Sequence, residues 1–116
     1  MYTAKNYENL LGTPGFSDNL LKTHFGLYQC YVKNTNTLIE KLRNPEKSGG
    51  LSSPEYAEMK RRFGWEWNGV RLHELYFENM TKETSGFDQN SELARKITEN
   101  FGSYDNWLKD FKATGT

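Results

Sequence analysis

Residues 63–80 read FGWEWNGVRLHELYFENM. They hold two of the three tryptophans, one of the two histidines, and two glycines inside an otherwise helical pattern. With the residues just before them, Tyr56, Met59, Phe63, Trp67, Val70, His73, Phe77 and Met80 recur at steps of three or four. Residues so spaced share one face of an α-helix. Ser53 stands at an N-cap position, with Pro54 at the first helical position and Glu55 in the first turn, a clear start signal. Gly64 and Gly69 each cost roughly 0.5–1 kcal/mol relative to Ala in a helix interior. At Gly64 the expected reason is close packing of a neighbouring helix or ring. At Gly69, one turn before His73, the same reason competes with another: room for a group entering from elsewhere.

Upstream, NPEKSGGLSS at residues 44–53 is a loop by its Pro, paired Gly and Ser. Before it a first helix is expected over about 18–43, capped by Ser17 and with Asp18 complementing its positive end. Leu21, Phe25, Tyr28, Val32, Leu38, Ile39 and Leu42 recur near helical spacing. His24, Tyr28 and Tyr31 stand at i, i+4 and i+7 and share a face. Residues 33–37, KNTNT, are poor helix formers, and a bend or fraying is expected there. Two long helices joined by a short loop predict an antiparallel hairpin. Residues 1–16 read as an irregular lead-in with a turn cluster at 12–15.

Downstream, residues 81–90 read as a polar linker. Asn90 or Ser91 caps a short helix carrying Leu93, Ile97 and Phe101, which Gly102 ends. Ser103 opens another, with Trp107, Leu108 and Phe111 on its inner face. No strand pattern is present, so the fold class is all-α: a long helical hairpin followed by two short helices.

Composition narrows the function. Fifteen basic and fifteen acidic residues give zero net charge. Such a chain has no long-range attraction for nucleic acid or for anionic lipid. The mean hydropathy is −0.87, and no apolar run approaches the ~18 residues of a membrane span. The first residues lack a signal-peptide layout, so the expected compartment is cytoplasmic, and the Asn79-Met80-Thr81 sequon is discounted. One cysteine excludes an internal disulfide; Cys30 reads as a small buried hydrophobe. The aromatic share is 15% in a chain only 35% hydrophobic, which suits either a ring-rich core or a ring-lined pocket.

Both histidines fall on apolar stripes of the two long helices. One such histidine alone is more often a core residue held by a single hydrogen bond. Two of two, on helices that face each other, open a metal-ligand reading, since imidazole is a common ligand and bundle interiors a common location. Two ligands still fall short of the three or four that zinc, iron or manganese sites use. Glu74 points elsewhere than His73, by ~100° around the helix. Tyr28 and Tyr31 could supply a phenol beside a metal-bound water, or could be packing rings. There is no phosphate-binding glycine loop and no nucleophile–base constellation. The absence of a Glu-x-x-His pair disfavours a helical heme or di-iron bundle.

The chain resembles the N-terminal part of the iron/manganese superoxide dismutase family. The residues that carry the resemblance are His24 followed by Tyr31-Val32-Lys33-Asn34-Thr35-Asn36, His73-Glu74-Leu75-Tyr76-Phe77 preceded by Trp67-Asn68, and Phe101-Gly102-Ser103-Tyr104-Asp105. They lie in the family's order over roughly residues 17–116. The resemblance implies that His24 and His73 are the first two of four protein ligands to a mononuclear iron or manganese ion. It implies superoxide as substrate and Tyr31 as the tyrosine guarding the channel. His24 and Tyr31 are seven residues apart, one fewer than usual in the family, so Tyr28 is the alternative for that role. Gly69 falls where iron-type members often carry Gln and manganese-type members Gly, which leans toward the manganese-like arrangement. Phe77 stands where Trp is common, and the Pro-rich opening and a second histidine in the first helix are absent. The Asp-x-Trp-x-x-His motif that supplies the family's other two ligands does not occur in this sequence. The chain therefore reads as a truncated product or fragment. Its expected parts are a hairpin domain, 1–83, and the start of an α/β C-terminal domain, 84–116, whose sheet is missing. It should be inactive alone, with a homodimer expected for the full-length protein. The rival expectation is a non-catalytic hairpin that packs its aromatic face against a partner chain.

Overall fold

The computed structural model describes residues 1–83 and 86–116. Four α-helices follow one another: α1 (Asp18–Leu42), α2 (Pro54–Glu78), α3 (Glu92–Phe101) and α4 (Tyr104–Thr114). Short 3-10 turns cover Glu8–Leu10 and Pro45–Ser48. Among the described residues there is no strand, as the helical periodicity requires. The expected linker at 81–90 includes residues 84 and 85, which lie outside the described residues.

Every α-helix starts where a serine can cap it. The hydroxyls of Ser17, Ser53, Ser91 and Ser103 accept from the backbone N–H groups of Leu20, Tyr56, Ala94 and Asn106 at 3.0–3.1 Å. Each satisfies one of the donors that a helix start leaves without a partner. Gly102, with φ +80°, takes the left-handed conformation that closes α3.

The chain forms two compact units, Met1–Glu83 and Thr84–Thr116. In the first, α1 and α2 pack antiparallel. Tyr28 meets Glu74, and three residues further along α1 Tyr31 lies over Gly69, nearer the start of α2. The core between them is Leu21, Phe25, Tyr28 and Val32 from α1, Val70 and Phe77 from α2, and Leu10 from the lead-in.

Several expectations need correction. Residues 33–37 neither break nor fray α1. Three of their polar side chains find partners that offset poor propensity: Asn34 donates to Glu66 at 3.2 Å, Asn36 to the Tyr2 carbonyl at 2.8 Å, and Thr37 to the Lys33 carbonyl at 3.0 Å. On α2 the fully buried residues are Glu66, Val70, Glu74 and Phe77, while Trp67 and His73, and Met80 just past the helix end, are half-buried. The deepest stripe is rotated because the lead-in forms a third layer. Tyr2 packs edge-on against Trp67 at 5.1 Å, and Tyr7 lies on Phe77 at 4.8 Å. Gly64 faces open space instead of a tight neighbour. Cys30 is exposed; it lies off the face of α1 that meets α2.

In the second unit Ala94 and Ile97 are buried, but Leu93, Phe101 and Phe111 are exposed. A ten-residue helix buries the narrow stripe that its neighbour covers, here i and i+3, so the wider 93–97–101 stripe is not realised. Phe87, Tyr104, Trp107 and Phe111 form a row of rings 4.3–5.5 Å apart.

Candidate metal centre

Helical spacing puts His24 midway between Leu20 and Leu27 on α1, and antiparallel packing sets it opposite His73 of α2. The two imidazoles lie 4.8 Å apart, centroid to centroid, at 78° to each other. Tyr76 and Phe77 each lie 5.2 Å from His24. The ring nitrogen Nδ1 of His73 is 2.6 Å from the Gly69 carbonyl oxygen, one turn earlier. A carbonyl only accepts, so Nδ1 carries a proton here, and in the neutral form of the ring the lone pair stands on Nε2. An oriented imidazole with a free Nε2 is the form a metal takes. Burial, and then the charge of His73, holds the His24 pKa below its ordinary value, which also favours the neutral ring.

The two tyrosines divide. Tyr28 is buried, and its hydroxyl donates to Glu74 Oε1 at 2.9 Å and accepts the Lys5 N–H at 3.0 Å. Burial, with the Glu74 carboxylate adding to it, pushes its pKa up to about 12. That phenol is committed to the interior. Tyr31 is half-buried, and its ring lies 5.2 Å from His73. It also fills the notch at Gly69, where a Cβ would run into the Tyr31 ring. Of the two readings of that glycine, close packing by a ring is the one realised. Tyr31 then lines a cavity of about 300 Å³ together with Trp65, Asn68, Gly69, Leu72 and His73.

Sequence reasoning missed the other polar cluster. Glu74 is fully buried and takes hydrogen bonds from Tyr2 and Tyr28, with Arg71 and Lys5 as ion-pair partners. Burial alone would raise its pKa. The two tyrosine hydroxyls and the two cations outweigh it, and the carboxyl sits below its ordinary value. The i, i+4, i+8 spacing puts Glu66, Val70 and Glu74 on one stripe, but a stripe with two carboxylates reads as solvent-facing, so the sequence alone carried no usable signal.

As a metal site the donor set is of the right kind and incomplete. At ligand distances of ~2.1 Å two nitrogens on one ion stand a little over ~3 Å apart, and facing rings 4.8 Å apart can present such a pair. Among the described residues no group of three or more His, Cys, Asp or Glu side chains is arranged to hold an ion.

Comparison with known proteins agrees with the resemblance. The chain is 33% identical over 101 residues to a manganese superoxide dismutase of Haloferax volcanii, covering 86% of this chain and 49% of that protein. It is 31% identical over 105 residues to the iron superoxide dismutase of Saccharolobus solfataricus, covering 87% and 49%. It is 26% identical over 101 residues to the mitochondrial manganese superoxide dismutase of Glossina morsitans morsitans, covering 86% and 45%. The chain thus spans about half the length of the curated relatives it matches. No family model matches, and no solved structure does. Iron and manganese enzymes both stand among the relatives, so similarity does not choose the metal. On these likenesses the chain belongs to the iron/manganese superoxide dismutase family.

Proposed function

We propose that this chain supplies the first half of a superoxide dismutase centre. His24 and His73 are two of the protein ligands to a mononuclear iron or manganese ion, and the remaining donors come from outside these residues. The observation that carries the reading is the facing imidazole pair, 4.8 Å apart with Tyr31 laid against His73. An ion held there supplies one-electron cycling between two oxidation states, the capacity needed to turn two superoxide ions and two protons into O2 and H2O2. The chain's own residues do the rest. The Gly69 carbonyl holds the His73 proton on Nδ1 and so aims Nε2. Tyr31 lays its ring 5.2 Å from that imidazole, brings a phenol hydroxyl to the same cavity, and narrows it at Gly69. Under this reading the two compact units are a hairpin domain, 1–83, and the beginning of a C-terminal domain, 84–116, and the complete protein is a cytoplasmic homodimer.

The test is a Co2+ titration of the purified chain followed by visible absorption, beside iron and manganese content and superoxide turnover. One weakly held Co2+ per chain is expected, lost on His24→Ala and on His73→Ala, with little retained iron or manganese and little turnover. Co2+ binding that neither substitution alters sinks the ligand assignment. Stoichiometric retained metal with strong turnover sinks the incomplete-site half of the reading.

A second reading rests on a separate observation. Leu20, Leu27, Trp65, Leu72 and Tyr76 around the histidines are 44–64% exposed. Contiguous apolar surface of this kind marks an interaction face. A chain that binds no Co2+ yet self-associates through that face, with association lost on Leu27→Lys and Leu72→Lys, is a structural hairpin whose histidines are packing residues.

A further inference from the structure

Glu74 is a costly residue to place where it stands. Its side chain is fully buried, and a buried carboxylate is unfavourable unless it is paired. It is paired on both oxygens. The hydroxyls of Tyr28 and Tyr2 donate to Oε1, while the Arg71 guanidinium and, at 3.7 Å, the Lys5 ammonium stand on Oε2. A well-packed apolar side chain of similar volume would fill the same space without the desolvation cost. What the carboxylate adds is position. Tyr28 lies one turn after His24 on α1, and Glu74 is the residue after His73 on α2. Their 2.9 Å hydrogen bond is therefore a rung across the hairpin, directly beside the histidine pair. Hydrogen bonds act over a narrow range of distance and angle, whereas the contacts of Val70 and Phe77 tolerate small slides and rotations. Tyr2 brings in the lead-in as a third anchor, itself tied to α1 by reciprocal 2.8 Å bonds with Asn36 and by the Lys5 N–H on Tyr28.

We propose that Glu74 is a positioning residue. Through Tyr28 and Tyr2 it fixes the register of α1, α2 and the N-terminal segment at which the His24 and His73 rings meet edge-on, 4.8 Å apart. Its functional meaning rests on reading that pair as ligands; the geometry it sets does not.

The experiment uses the whole chain and three variants. Glu74→Gln keeps an acceptor oxygen, Glu74→Leu removes it at similar volume, and Tyr28→Phe deletes one hydroxyl while keeping the ring should the leucine variant fail to fold. The first readout is the NOE between the His24 and His73 ring protons without metal, with helix content checked by circular dichroism. The second is Co2+ affinity. The parent and Glu74→Gln should show the NOE. Glu74→Leu and Tyr28→Phe should lose it at unchanged helix content and bind Co2+ at least about tenfold more weakly, the scale expected for groups that orient ligands. An NOE that persists in both of those variants, or that is absent from the parent, overturns the proposal. A parent that binds no Co2+ while the NOE pattern holds refutes the ligand reading and leaves the positioning role standing.

Discussion

A methyl group at Gly69 has nowhere to go except into the ring of Tyr31. Gly69→Ala should improve the local helix propensity by roughly 0.5–1 kcal/mol, but overpacking a tight contact costs about 1–3 kcal/mol, so the clash wins. The expected result is a lower unfolding midpoint and a Tyr31 ring displaced from His73, read by thermal melting and by the chemical shifts of the two rings. An alanine variant as stable as the parent, with Tyr31 unmoved, would show that the ring yields freely. Gly64 is the control, because nothing lies within contact of an added Cβ there. Gly64→Ala should raise stability by roughly the propensity difference. The sequence shows two similar glycines five residues apart; only the antiparallel partner makes one of them obligatory.

Helix α2 owes its start to Ser53. Its hydroxyl accepts the Tyr56 N–H at 3.0 Å, and Pro54 loses nothing at a position whose N–H is free in any helix. Ser53→Ala should cost about 0.5–2 kcal/mol, measured as a shift in the urea midpoint; no shift would mean the first turn contributes nothing to the fold. Elements of this kind are legible because their causes are local. The caps, the proline and the three-to-four spacing lie within a few residues of one another, and both long helices begin where those signals put them. The same locality let His24 and His73 be picked out, since each sits on an apolar stripe. What could not be read is which side of α2 is deepest. Glu66 and Glu74 are charged, so periodicity assigns them to solvent. They are buried only because Asn34 and Arg62 meet one, and Tyr2, Lys5, Tyr28 and Arg71 meet the other. Tyr2 is 72 positions away along the chain, and no local pattern carries that pairing.

The whole hairpin carries its titratable groups in a way that fixes the pH range of its stability. His24 and Glu74 have folded-state pKa values below their ordinary values of 6.5 and 4.5. For both, the unfolded chain binds the proton more readily, so each contribution is complete above the ordinary value and is lost as pH falls through the folded one. Acidification should weaken the fold first below pH 6.5 through His24 and again below pH 4.5 through Glu74. Tyr28 is shifted the other way, from 10.0 to about 12. Its contribution is complete below pH 10.0 and is lost as pH rises toward 12. The melting temperature should therefore form a plateau between pH 6.5 and 10.0 with a limb on either side. Tyr28→Phe identifies the alkaline limb. It removes the buried ionisation, so the fall above pH 10 should become shallower while the acid limb below 6.5 stays. Thermal melting across pH 3 to 11.5 reads both limbs. An alkaline limb unchanged by the substitution would assign it to Tyr2 or Tyr7, whose pKa values are also raised, by the hydrogen bond to Glu74 at Tyr2 and by burial at Tyr7. Because the same tyrosine and carboxylate join the two helices, α1 and α2 should melt together, as one unit, along both limbs.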